Sequence, residues 1–374
     1  MAKLLLLIVL LVLVTIPIVT SSSSSSLSLT SSLKANKKHD NAIIVAGKPV
    51  QKVSSPPAAN KSAAALKMAG LFFIWYAFNA AYNVYNAYIK ADIQLPWAIS
   101  TVQLFVGLLY AVPLWFLKIR KVPNLTFNDV KAMLPIAILN AFGHAAAVVA
   151  MFEKGGGSFT HVIKASEPVV SVLLNFLVMG IVPRPLTALS LLPVSYGVAY
   201  ASTLGDLNPQ SFGKELTTKA AKMAMVSNFA FAMRSILRKN LPSDFKTRTN
   251  LDPGNDVAVT TILSMLILIP VVLYFEGANG VIKAVSNVKN QGAFALNVGV
   301  CGMSFYLYNE MQNFVLSSLG PVPTAVGNTL KRVAIFVALY YFTKGETFPA
   351  AKIVGCAIAI AGCLSFAIFD AKKL

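Results

Sequence analysis

Gly320–Lys344, GPVPTAVGNTLKRVAIFVALYYFTK, places Lys331 and Arg332 side by side inside an otherwise apolar run. A cation at the centre of a membrane helix costs roughly 2.5–3.5 kcal/mol on translocon-type scales, and neither residue lies near enough to an end to reach the interface easily. Two adjacent cations at that depth therefore require compensation, and the default reading is a site for an anion. Ser158–Met179, SFTHVIKASEPVVSVLLNFLVM, repeats the arrangement earlier in the chain: Lys164 is followed by a second apolar run. Lys164, Lys331 and Arg332 are thus expected to converge from two helices.

The composition carries the same message. Of 374 residues, 56% are hydrophobic and only 12% charged, which excludes an ordinary soluble domain and indicates an all-α polytopic membrane protein in contact with the lipid bilayer. The net charge of +18 resembles that of a nucleic-acid-binding protein, but the cations are dispersed among short loops and helix ends, so no nucleic-acid partner is expected. Cys301, Cys356 and Cys363 all lie in apolar runs without metal-ligand spacing, and only three histidines are present, so packing rather than metal binding is expected. The chain contains no phosphate-binding Walker loop, HExxH, nucleophile elbow or paired acids, which argues against an ATP-driven pump or an enzyme; no cofactor is expected.

MAKLLLLIVLLVLVTIPIVTSSSSSS has the basic start, apolar core and small-residue end of a secretory signal peptide, taken as residues 1–22. Residues 23–65, rich in Ser, Lys, Ala and Pro, cannot bury a core and read as a disordered, transit-peptide-like segment. Together they suggest the secretory route to a plastid bounded by extra membranes, with ER or Golgi membrane as the other destination. From residue 66 to 373, about ten spans of roughly 20 apolar residues follow: Leu66–Ile89, Pro96–Leu117, Ala132–Phe152, Ser158–Val182, Leu186–Leu204, Thr218–Leu237, Val257–Phe275, Ala293–Leu316, Val322–Phe342 and Ala350–Phe369. The linkers Arg238–Asp256 and Glu276–Gln291 read as surface loops. Superposing Lys164 on Lys331 aligns the turns before Pro185 and Pro349 and the following Gly197 and Gly362, giving repeats of about 66–205 and 214–373. Five spans being odd, the second repeat enters from the opposite side, an inverted-repeat transporter architecture with its site between the repeats. The face carrying Arg120, Arg184, Arg238 and Arg248 is the more basic one.

Phosphate esters suit the three cations: the Arg fork grips two oxygens and Lys supplies a mobile point charge. The alternative is that Lys331 and Arg332 pair with the embedded acids Glu167 and Glu310, while Lys164 has Glu167 one turn on. Pro168 is expected to kink that helix and free backbone groups for a polar cavity. In SFYLYNEMQNF, Tyr308 either donates its hydroxyl to a substrate oxygen or packs as an aromatic. His144 and His161 each either bond a substrate or are satisfied internally, and Arg234 is a gate or helix-end cation.

SFTHVIKASEPVVSVLLNFLVMG, SNFAFAMRSILRKN, FYLYNE and PVPTAVGNTLKRVAIF closely resemble the plastidic phosphate translocators, the triose-phosphate/phosphate translocator group of the drug/metabolite transporter superfamily. The resemblance runs from about Leu66 to Lys373. It implies ten helices in two five-helix inverted repeats and strict counter-exchange of inorganic phosphate for phosphorylated small molecules across a plastid envelope. It also implies that Lys164, Lys331 and Arg332 bind phosphate, with Tyr308 and His144 facing substrate. The preferred expectation is an antiporter for phosphorylated C3 compounds: triose phosphate and 3-phosphoglycerate, with phosphoenolpyruvate as a further candidate. A nucleotide-sugar or other sugar-phosphate exchanger of the secretory pathway is the alternative. AAAVVAMFEKGGG stands where the family has a more polar run.

Overall fold

The computed structural model describes residues 58–371 apart from 207, 320 and 344–347. The expected signal peptide and nearly all of the Ser-rich segment lie outside the described residues. Two compact units are distinguished, one ending at Ile74 and one beginning at Trp75. Of the first, the described part is the start of helix α1 (Ala58–Asp92), which begins at Ala58 rather than at the expected Leu66. Everything below concerns the second.

This unit is helical throughout its described length: α2 (Pro96–Phe116), α3 (Phe127–Phe152), α4 (Gly156–Lys164), α5 (Glu167–Met179), α6 (Pro185–Leu189), α7 (Leu191–Ser202), α8 (Pro209–Leu216), α9 (Lys219–Lys239), α10 (Phe245–Arg248), α11 (Pro253–Phe275), α12 (Ala278–Ser286), α13 (Gln291–Leu319), α14 (Pro321–Phe342) and α15 (Ala350–Ala371). By length and hydropathy α2, α3, α11 and residues 350–369 of α15 can each cross a membrane, and α4 with α5 makes a fifth span bent by 42°. The remaining long helices carry more polar groups, as α9 and α13 show in KAAKMAMVSNFAFAMRSILRK and YLYNEMQN, and of these Ser227, Arg234, Tyr308 and Gln312 reach the site described below.

Helix ends are set by local chemistry. Thr126 and Asp129 form a reciprocal capping box at α3, and Asp252 accepts the Asn255 N–H at 2.7 Å to start α11. The first turn of α2 is capped from elsewhere: the Glu276 carboxylate accepts the N–H groups of Trp97 at 2.9 Å and Ala98 at 2.7 Å, while Trp97 stacks on Phe275. At the end of α3, Lys90 Nζ donates to the carbonyls of Met151 and Glu153. Gly155 then turns the chain in the left-handed region, with φ +70°, into α4.

Packing pairs α3 with α9, α7 with α15, α2 with α13 and with α11, and α11 with α3. Between α7 and α15 the backbones nearly touch. A Cβ added to Gly197 would lie 2.4 Å from the Ala359 nitrogen, and one on Gly355 2.5 Å from the Ala201 nitrogen, so only glycine fits.

Within Ser158–Val182 the kink expected at Pro168 is a full break: the helix stops at Lys164 and restarts at Glu167, where Pro168 supplies no N–H to the preceding turn. Two expectations need correction. Residues 186–204 likewise form two helices, α6 and α7. The linker Arg238–Asp256 is not merely a surface loop: Phe245 and Leu251 bury against Met133 and Val259. Apolar side chains inside a polar linker find a core of their own, and Thr249, hydrogen-bonded to the Phe245 carbonyl, is buried with them.

Candidate functional site

The break between α4 and α5 builds the centre. Lys164 is the last residue of α4, and its carbonyl lacks the partner that a continuing helix would supply. Arg332, on α14 and only 7% exposed, fills that role: Nη2 donates to the Lys164 carbonyl at 2.6 Å and to Glu167 Oε2 at 3.2 Å. A single guanidinium edge thus joins the end of α4 to the start of α5. Glu167 lies within electrostatic range of Lys164, Lys331 and Arg234 as well.

The Lys164 ammonium turns toward α9, donating to Ser227 Oγ at 2.8 Å and lying 4.8 Å from the centre of the Phe231 ring. Arg234 approaches the same ring, 4.7 Å from its centre, and donates to Asn140 Oδ1 at 2.5 Å. Lys331 donates to Gln312 Oε1 at 3.3 Å and lies 5.3 Å and 5.8 Å from the rings of Trp75 and Tyr308. Lys164 and Lys331 therefore contact neutral acceptors and aromatic faces, arrangements that an arriving anion can outcompete.

Tyr308 packs its ring on Tyr82 and Phe305, each 5.5 Å between centres, and is half-buried beside Lys331. His161 is buried and bonded to Asn83 Oδ1 at 2.6 Å, and it shares a small void with Arg332. His144 lies 1% exposed, with Nε2 donating to the Ser100 carbonyl at 3.2 Å and its ring 4.0 Å from that of Phe305. Both histidines thus have internal partners. Of the two embedded acids, Glu167 pairs with Arg332, whereas Glu310 pairs with Arg120 from the α2–α3 loop. Arg120 is the residue that sequence reasoning misplaced: counted as an exposed loop cation, it is 6% exposed and packs over Gly254. Ser227 and Phe231 were also unforeseen, since nothing in SNFAF distinguishes a site-facing serine from a packing one.

The sequence profile described as the Triose-phosphate Transporter family matches residues 66–367. Similar curated proteins include the chloroplastic xylulose 5-phosphate/phosphate translocator of Arabidopsis thaliana, 32% identical over 322 residues that cover 84% of this chain and 72% of the relative. The chloroplastic phosphoenolpyruvate/phosphate translocator 1 of Oryza sativa subsp. japonica is 33% identical over 302 residues, covering 79% and 70%. The chloroplastic triose phosphate/phosphate translocator of Spinacia oleracea is 31% identical over 313 residues, covering 82% and 73%.

Proposed function

Given that the chain belongs to the Triose-phosphate Transporter family, an all-α family of membrane transporters, we propose that it is an antiporter. It exchanges inorganic phosphate for phosphorylated C3 compounds, namely triose phosphate, 3-phosphoglycerate or phosphoenolpyruvate, across a plastid envelope membrane. The observation that carries this reading is the meeting of Lys164, Lys331 and Arg332 at a broken helix, with Glu167 as the carboxylate that partly offsets them. The relatives' names supply the substrate class and the plastid; the N-terminal residues 1–65 suggest delivery through the secretory route to a complex plastid.

The transporter domain, about 66–373, is read as ten spans in two inverted repeats. Exchanging α2 with α11 and α3 with α13 turns the α2–α13 contact into the α11–α3 contact, and both occur. The contacts α2–α11 and α7–α15 each map onto themselves, as a pseudo-twofold axis in the membrane plane requires.

Phosphate binding follows from the charges. Without ligand, the like charges repel by several kcal/mol at an effective dielectric of about 20. Arg332 keeps its hold on the Lys164 carbonyl and presents its remaining N–H groups, while the two ammonium groups leave Ser227 and Gln312 for phosphate oxygens. Tyr308 and His161 flank the remainder of the substrate, and His144 supports the Phe305 and Tyr82 rings behind Tyr308. Binding neutralises the cluster and lets the two repeats close on it, so that only the loaded carrier reorients and net movement without exchange is suppressed.

Purified protein in liposomes tests the reading. Radiolabelled phosphate enters vesicles loaded with phosphate or a phosphorylated C3 acid and not empty ones. Equal uptake into empty vesicles sinks obligatory exchange; uptake driven by nucleoside monophosphate instead of phosphate sinks the substrate class.

A further inference from the structure

Away from the central cations, a cavity of about 300 Å³ opens where the α3–α4 turn, the end of α7, the start of α9 and the first turn of α15 meet. Among the described residues its charged lining is Lys154, Lys352 and Glu215. Lys154 is exposed, whereas Lys352 is drawn inward until it is 8% exposed, its ammonium donating to Ser158 Oγ and lying 5.1 Å from the centre of the Phe348 ring. Since about 10–15 Å³ of such space holds one water, the cavity accommodates a phosphate group with part of its hydration shell.

Inward along α15, one turn past Lys352, Cys356 lines a second void together with His161 and Arg332. That void measures about 10 Å³, room for about one water. Ala201 lines both spaces. The inner void is too small for a phosphate, so the outer cavity is set apart from the space beside Arg332, with Ala201 bordering both.

We propose that the outer cavity is a second phosphate-group site, in which Lys352 and Lys154 hold the anion one constriction away from the central cluster. It extends the transport reading above, whose central cations are the destination. Among the described residues two cations face one carboxylate in the outer site, against three cations and Glu167 at the centre, so the outer site binds more weakly and releases inward when the constriction opens. Glu153, the other acid of this turn, is already paired with Lys219 at 2.7 Å.

Equilibrium binding of radiolabelled orthophosphate to the full chain in nanodiscs of phosphatidylcholine tests it. The expected result is two equivalents separated by about tenfold or more in affinity. Lys331→Gln removes the tighter equivalent and leaves the weaker, Lys352→Gln does the converse, and Lys154→Gln weakens the outer equivalent by about three- to tenfold. Should Lys352→Gln fail to fold, Lys154→Gln, at an exposed position, decides alone. One equivalent that disappears in Lys331→Gln overturns the outer site and leaves the central reading intact. One equivalent that survives in Lys331→Gln but not in Lys352→Gln overturns the central reading instead. In nanodiscs containing phosphatidylglycerol, phosphate binding at the weaker site stays within about twofold if the ligand is the free anion. Its displacement there assigns the cavity to a lipid headgroup and overturns the role of a stop on the substrate's path.

Discussion

Replacing Arg332 by Lys keeps the charge and removes the fork. The guanidinium spans the Lys164 carbonyl at 2.6 Å and Glu167 at 3.2 Å with one nitrogen, leaving other N–H groups for a ligand. A single ammonium cannot hold both ends of the α4–α5 break and also meet two phosphate oxygens. Losing one charge-assisted hydrogen bond to the anion costs about 1.5–3 kcal/mol. The exchange rate at low substrate then falls by about 10- to 150-fold, one decade for each 1.36 kcal/mol. Arg332→Gln goes further, since it also removes the cation hydrogen-bonded to Glu167, at about 1–3 kcal/mol of stability. The lower part of that range applies, because the Glu167 side chain is 38% exposed. The double variant Arg332→Gln/Glu167→Gln separates the two roles. Its melting temperature in detergent returns toward wild type, because no carboxylate is left without its hydrogen-bonded cation, while initial rates of phosphate counter-exchange in proteoliposomes stay as low as in Arg332→Gln. A double variant that exchanges phosphate at the wild-type rate refutes anion binding by Arg332 and reduces it to a structural partner of Glu167.

Three further outcomes follow from the geometry. Breaking the Arg120–Glu310 pair with Arg120→Met strands a fully buried carboxylate and lowers stability by about 3–5 kcal/mol, measured by thermal unfolding. Adding Glu310→Leu recovers most of the loss, because Arg120 Nη1 and Glu310 Oε2 lack hydrogen-bond partners among the described residues even in the intact pair. Gly197→Ala drives a Cβ to within 2.4 Å of the Ala359 nitrogen and costs about 1–3 kcal/mol, whereas Gly299→Ala, which meets nothing within 4 Å, stabilises or leaves melting unchanged. Tyr308→Phe retains the contacts with Tyr82 and Phe305, so the protein melts as before; the half-saturation constant for the phosphorylated partner rises while that for inorganic phosphate does not.

The central cations were legible because the bilayer makes them expensive. Lys331 and Arg332 in an apolar run demand an explanation that a loop lysine does not, and Lys164 stood out by the same criterion. The break after Lys164 was legible as a kink from Pro168. What the break would do was not, since the carbonyl it frees belongs to the backbone and the guanidinium that takes it lies far along the chain. Arg120 was misread for the opposite reason. Flanked by Lys118 and Lys121, it matched the pattern of interfacial cations, and its partner Glu310 lies in a distant helix, where residue spacing carries no signal. The histidines were left between two readings, and their buried partners, the Ser100 carbonyl and Asn83, come from helices that only the fold brings alongside. The Phe245–Leu251 core went unseen because two apolar side chains among turn residues form no period.

The glycine contact between α7 and α15 has an electrical consequence. Where two backbones meet without intervening side chains, neither lipid nor water fits between them, and the insulation of that seam does not depend on any rotamer. The proposed one-for-one exchange of anions requires that they not also be conducted, and over this stretch leak-tightness would be supplied by the chain itself. A bulky residue at Gly197 or Gly355 therefore threatens more than stability: in a planar bilayer it admits a current that flows whether or not a phosphorylated partner is present.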